Sequence, residues 1–172
     1  MNVPTEIVKN LYIGNEKCAI QSTLLFNGIV SVMLTTPEKV KNLTNCRTLS
    51  VNLNDTVHDN IRIHFEEVSD FIEHIVSNGG SVLVHCKMGV SRSCAVILGY
   101  LMKCKHMTLL EAYNLVRSKR KTVRPNDGFW RQLIAYEKEL FKGNTSVSFI
   151  SLPDGACIPS VYETEYRNMV FL

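Results

Sequence analysis

At 172 residues, 45% of them apolar and 20% charged, the chain is of single-domain size and has the composition of an ordinary globular protein. A net charge of +3 is too weak to argue for nucleic acid and licenses only a mild preference for anionic substrates. No apolar leader, myristoylation signal or membrane-length apolar run is present, and six cysteines without a C-x-x-C pair suggest reduced thiols in a cytosolic-type compartment.

Two short apolar pieces, Glu6-Ile7-Val8 and Leu11-Tyr12-Ile13-Gly14, predict an opening hairpin. Cys18 to Phe26 reads as a short helix stopped by Asn27-Gly28, and Ile29 to Leu34 as a buried strand. Thr35-Thr36-Pro37-Glu38 breaks that strand, and the residues to Asn45 carry no clear signal. Arg47 to Leu53 alternates, with Leu49, Val51 and Leu53 on one face of a half-buried strand. The polar loop Asn54 to Asn60 follows. Ile61, Phe65, Val68, Ile72 and Ile75 then recur at helical spacing until Asn78-Gly79-Gly80, with His64 and His74 read as solvated rather than as metal ligands.

Ser81 to Val84 is a short, β-branched apolar run, hence a buried strand, while Ser93 to Lys103 is apolar almost all round, hence a buried helix. A loop running from a strand into a helix N-terminus presents unpaired N–H groups and the positive end of the helix dipole, which together make an anion cradle. This one reads His85-Cys86-Lys87-Met88-Gly89-Val90-Ser91-Arg92-Ser93. Gly89 can supply a positive φ or a close backbone approach as the loop curls. The cradle favours the thiolate form of Cys86, a competent nucleophile, and Arg92 can grip two phosphate oxygens while sulfur attacks phosphorus. Of the six cysteines only Cys86 has an arginine six positions on. Ser93 can either cap the helix or donate to the sulfur as it leaves.

Thr108-Leu109-Leu110-Glu111 is a capping box that starts a helix running to about Arg117. The basic run Arg117, Lys119, Arg120, Lys121 and Arg124 reads mainly as the solvated end of that helix. After the break Arg124-Pro125-Asn126-Asp127-Gly128, a last helix carries Phe129, Trp130, Leu133, Ile134, Tyr136, Leu140 and Phe141. Strands alternating with helices predict an α/β domain on a largely parallel sheet, with the anion cradle at the sheet's C-terminal edge. Gly143 to Leu172 is too apolar for a frayed end and is expected to pack back on the core as an extended strand.

The string H-C-x-x-G-x-S-R-S at 85–93, in its strand–loop–helix setting, resembles the phosphate loop of the dual-specificity phosphatases. The resemblance covers about Glu6 to Phe141. Trp130 to Glu137, Leu140-Phe141, Pro153-Asp154-Gly155 and Val161 to Glu165 are further similar to an atypical subgroup with a C-terminal extension. It implies a five-stranded, mostly parallel sheet flanked by helices, a catalytic domain over 1–142 and an extension over 143–172 packed on it. It also implies hydrolysis of phosphotyrosine and phosphoserine or phosphothreonine through a phosphocysteine, without metal or cofactor. Cys86 then matches the nucleophile, Arg92 the phosphate-binding arginine, and the main-chain amides of Lys87, Met88, Gly89, Val90, Ser91 and Arg92 the cradle. His85 matches a loop-orienting histidine, Ser93 the hydroxyl that eases thiolate departure, and Asn126 a brace of the loop, although Asn126 reads equally well as a turn former.

Expelling a serine or tyrosine oxygen needs a proton donor on a mobile loop at the same sheet edge. Asp55 fits, 31 residues before Cys86, a spacing similar phosphatases share. Asp59 is the rival, though its place before Ile61 reads better as a helix N-cap. Lys87 and Lys121 are candidates to hold a second phosphate, against a plain solvated face. The implied partners are phosphorylated proteins, signalling kinases among them, with no nucleic acid and a cytoplasmic or nuclear setting. Lipid and RNA 5′-phosphatases also use C-x5-R loops, but the lipid enzymes typically add basic residues within the loop, where only Lys87 qualifies here. A catalytically silent phospho-binding scaffold fits least, because Cys86, Arg92, Ser93 and Asp55 are all present.

Overall fold

A computed structural model describes residues 3–19, 29–35 and 48–170, with main chain only for 29–35 and 170. The predicted hairpin forms: β1 (Thr5–Val8) pairs antiparallel with β2 (Leu11–Asn15). Residues 16–19 are helical, so most of the helix expected to Phe26 lies outside the described residues, as does the break between Thr36 and Asn45. With β3 (Ile29–Thr35), β4 (Thr48–Asn52) and β5 (Ser81–Cys86), the sheet runs β1-β2-β5-β3-β4. The β2–β5, β5–β3 and β3–β4 pairings are parallel.

The register sets where chemistry can happen. Asn15 lies opposite Cys86, Met33 opposite His85 and Thr35 opposite Asn52, so β2 to β5 end along one edge. Ligands of such sheets bind at that edge, where the following loops meet. Because β5 is central, Cys86 is delivered to the middle of it.

α1 (Phe65–Ser77) buries Phe65, Val68, Ile72 and Ile75 on the stripe that the sequence predicts, its entry tightened into a 3₁₀ turn at Arg62–His64. α2 (Arg92–Lys105) is buried all round from Arg92 to Met102, because it runs through the centre of the helical layer and packs against α1 (Phe65–Ser77), α3 (Leu109–Lys119) and α4 (Asp127–Leu140). The capping box of α3 is complete: the Thr108 hydroxyl accepts from Glu111 N–H, and the Glu111 carboxylate accepts from Thr108 N–H at 2.8 Å. The result is the α/β domain that the alternation of strands and helices predicts. No helix among the described residues is long and apolar enough to cross a membrane.

The tail differs from the extended strand expected of it. β6 (Phe149–Ser151) and β7 (Cys157–Pro159) form a separate antiparallel ribbon about the Pro153-Asp154-Gly155 turn, and α5 (Glu163–Val170) follows. A helix is favoured at the end because Glu163 and Glu165 sit in its positive first turn and Arg167 pairs with Glu163 one turn on. Tyr162, 2% exposed, accepts a hydrogen bond from Trp130 Nε1 at 2.9 Å, and Glu165 bridges Arg117 and Arg124. Upstream, the buried Glu137 carboxylate accepts from Leu109 N–H, Ser146 N–H and the Ser146 and Thr145 hydroxyls. Val147 and Ile158 join the same core. Each such side chain is worth about 1.5–3 kcal/mol when buried, so truncation after Lys142 is expected to lower the melting temperature by about 10 °C. Scanning calorimetry of the two chains measures this, and coincident transitions would mean that the tail adds nothing to the fold.

Candidate active site

The loop after β5 is shaped by bonds made on its outer side. Lys87 O accepts from Glu16 N–H at 3.4 Å, Gly89 O from Arg120 Nε at 3.0 Å, and Val90 O from Arg124 N–H at 2.9 Å. A trans peptide points its N–H opposite its C=O, so three outward carbonyls turn the amides of Met88, Val90 and Ser91 inward. Gly89 takes φ +68°, and a Cβ there would lie 2.5 Å from Gly14 O, so the loop needs both freedoms that the sequence assigns to that glycine. Gly89 N–H donates to Cys86 Sγ at 3.2 Å, a bond that strengthens when the sulfur is charged.

Arg120 is the residue that sequence reasoning missed. In the basic run it is indistinguishable from its solvated neighbours, yet it reaches back 31 positions to Gly89 O. Arg117 and Arg124 are also engaged: Arg117 Nη1 donates to Val123 O at 3.1 Å and both pair with Glu165. Lys119, Lys121 and Arg124 of the run are exposed, while Arg117 and Arg120 are half-buried.

Arg92 opens α2 and is 9% exposed. Its Nη1 donates to Leu53 O at 3.1 Å, tying the cradle to the end of β4 across the width of β3. Its Nε makes no hydrogen bond and stands 3.9 Å from Asp55 Oδ2, an ion-pair distance too long for one. A buried donor of this kind suits a tetrahedral oxyanion. Ser93 lies inside α2, its Oγ 3.4 Å from Cys86 Sγ, while Ser91 takes the N-cap position. Of the two uses open to Ser93, the geometry selects contact with the sulfur.

His85 is 2% exposed, and burial pushes its pKa down to about 4. The folded state therefore holds a neutral imidazole beneath the loop, while the unfolded chain takes up a proton near the ordinary value of about 6.5. Its stabilising effect is complete above about pH 6.5 and is lost as pH falls toward 4, up to about 3 kcal/mol. Denaturant midpoints measured between pH 4 and 7 are expected to show this slope, and His85→Asn to flatten it. A variant keeping the full slope would place the titration elsewhere.

Asp55 Oδ1 accepts from Ser91 Oγ at 2.7 Å and from Asn126 Nδ2 at 2.9 Å. Asn126 caps α4 by accepting from Phe129 N–H at 3.0 Å, and its own N–H donates to Ser91 Oγ at 3.1 Å. Asn126 thus sits at the start of α4 within hydrogen-bond reach of both Asp55 and Ser91. Asp59 does not cap a helix as expected. Its carboxylate accepts from Asn54 N–H at 2.8 Å and from the Thr56 hydroxyl, closing the loop on itself. The following 3₁₀ turn, with its cap at Ile61, starts too late for Asp59 to reach it. The Thr56 bond above all holds the Asp59 carboxyl below the usual range, which makes it a poor proton donor. Lys87 and Met88 are exposed at the mouth, and no cluster of metal-ligating side chains occurs among the described residues.

A thiol at the end of a central strand, a ring of inward amides and a guanidinium on the next helix define a phosphate-loop site of the cysteine-dependent kind. Known proteins point the same way: the family described as "Dual specificity phosphatase, catalytic domain" matches residues 11–139. The chain belongs to the dual specificity phosphatases. It is 42% identical over 167 residues to "Dual specificity protein phosphatase 14" of Mus musculus, covering 96% of this chain and 83% of the relative. To "Dual specificity protein phosphatase 18" of Pongo abelii it is 38% identical over 168 residues, covering 96% and 88%. Among solved structures, human DUSP28 superposes with a TM-score of 0.75 at 30% identity, covering 80% of this chain and 95% of that one.

Proposed function

We propose that the chain hydrolyses phosphotyrosine and phosphoserine or phosphothreonine in proteins, using Cys86, Arg92, Asp55 and Ser93 on a five-stranded, mostly parallel cysteine-phosphatase sheet. The carrying observation is the loop itself: Cys86 Sγ accepts from Gly89 N–H and touches Ser93 Oγ while Arg92 Nε is left to take a phosphate oxygen. Phosphate is held by the inward amides of the 87–92 loop and the Arg92 fork. Cys86 sulfur attacks phosphorus as the P–O bond to the protein oxygen breaks, and Asp55 gives that oxygen its proton. Water then attacks the phosphocysteine, Asp55 takes back a proton, and Ser93 Oγ donates to the departing thiolate.

Residues 1–142 form the catalytic domain in this reading and 143–172 an extension braced on it through Tyr162 and Glu165. The substrates are cytoplasmic or nuclear phosphoproteins, signalling kinases among them. A lipid headgroup is disfavoured because Lys87 is the only basic side chain between Cys86 and Arg92, with Met88 65% exposed beside it. Initial rates on phosphotyrosyl and phosphothreonyl peptides, phosphoinositides and 5′-triphosphate RNA test the reading. Both peptides are expected to be turned over, with kcat/KM well above the other two classes. Preference for phosphoinositide or RNA would overturn it.

A further inference from the structure

Asp55 stands on a loop, residues 54–60, that is seated along the first turns of α4. Three residues at that end of the helix take hold of alternate loop residues. Asn126 Nδ2 donates to Asp55 Oδ1, Gly128 lies against the Val57 main chain, and Gln132 Nε2 donates to Asp59 O at 2.8 Å. Gln132 Oε1 in turn accepts from Arg62 N–H at 3.0 Å. With Asp59 also closing the loop through Asn54 and Thr56, the loop is a block clamped to α4, not the mobile flap expected of an acid loop.

Gly128 makes the closest of these approaches. A Cβ there would lie 2.1 Å from Val57 O and 2.6 Å from Val57 C and Cα, all of them backbone atoms that no rotamer change can move aside. The same end of α4 holds the phosphate loop, through the bond from Asn126 N–H to Ser91 Oγ. One helix end thus fixes both the proton donor and the cradle. We propose that Gly128 is a positioning residue for the proton-transfer step: by admitting the Val57 backbone it sets where Asp55 meets the leaving oxygen. The inference rests on the reading of Asp55 as the general acid. A methyl group at 128 pushes the loop outward by roughly 1 Å or more, a displacement that can cost about 10²-fold when it separates reacting groups.

The test is Gly128→Ala in the full chain, assayed on phosphoserine peptide and p-nitrophenyl phosphate, with inorganic phosphate as a competitive inhibitor. Expulsion of an alkoxide needs the proton far more than expulsion of p-nitrophenolate. The expected kcat/KM losses are therefore about 30-fold on the peptide and about 3-fold or less on p-nitrophenyl phosphate, with phosphate inhibition unchanged. Gln132→Ala, which frees the Asp59 end of the loop, is expected to show the same pattern at about 5-fold and serves if alanine at 128 does not fold. In an Asp55→Asn background either change should add less than about twofold, since the group it positions is gone. Equal losses on both substrates, or no loss, would overturn the proposal. If Asp55→Asn shows the leaving-group pattern and neither of the other variants does, only the positioning role fails. If Asp55→Asn itself lacks the pattern, the acid assignment fails and this inference falls with it.

Discussion

Cys86→Ser is expected to lower kcat by about 10⁴-fold or more on every phosphate ester, while phosphopeptide binding survives. Cys86 is 3% exposed at the floor of the loop, with Gly89 N–H and Ser93 Oγ both directed at its sulfur. A hydroxyl there keeps the shape of the cradle, but at neutral pH it stays protonated and is a weak nucleophile. The inward amides and Arg92 are untouched, so isothermal titration with a non-turnover phosphopeptide should give an affinity within a few-fold of the wild-type KM. Residual turnover within tenfold of wild type would mean that another group attacks phosphorus. Cys94 is no substitute: it is wholly buried in α2, and burial pushes its thiol far up.

The contrast between Cys86 and Arg120 shows what could be read from the chain and what could not. Cys86, Arg92 and Ser93 fall within eight consecutive residues, and the strand before and helix after them announce themselves by apolar pattern, so the cradle is legible without coordinates. Arg120 and Gln132 act through contacts that reach back 31 positions to Gly89 and 73 to Asp59, and their neighbours in sequence look the same whether or not they make them. Asp59 went astray for a related reason. A carboxylate before an apolar helix is a good cap, but here the Asn54 N–H and Thr56 hydroxyl lie nearer than any helix amide. The tail packs on the core but ends in a helix, not a strand: Val161 to Tyr166 suits either, and the Trp130–Tyr162 contact that helps decide is tertiary. Buried periodicity fared best: every apolar position on the α1 stripe from Phe65 to Ile75 is inside.

Asp55→Asn is expected to reduce kcat by about 10²-fold on phosphoserine and phosphotyrosine peptides and to remove the alkaline limb of the pH–rate profile. A serine alkoxide cannot depart unprotonated at a useful rate. The donor must be an acid beside the cradle, and two carboxyls share the loop. Asp59 is committed to Asn54 and Thr56, which hold it ionised. Asp55 spends only Oδ1 on Ser91 and Asn126, and its Oδ2 lies 3.9 Å from Arg92 Nε. Asparagine there fills the same space but has no acid proton to give. Its loss should therefore grow with the pKa of the leaving group, and p-nitrophenyl phosphate should suffer least. Because Asp55 also deprotonates the attacking water, the phosphocysteine should build up when a good leaving group makes its formation fast, visible as a burst of p-nitrophenolate in stopped flow. Asp59→Asn should show neither the leaving-group dependence nor the burst, losing instead the tie that closes the loop. If Asp59→Asn shows both and Asp55→Asn shows neither, the two carboxylates have exchanged roles and the acid stands at 59.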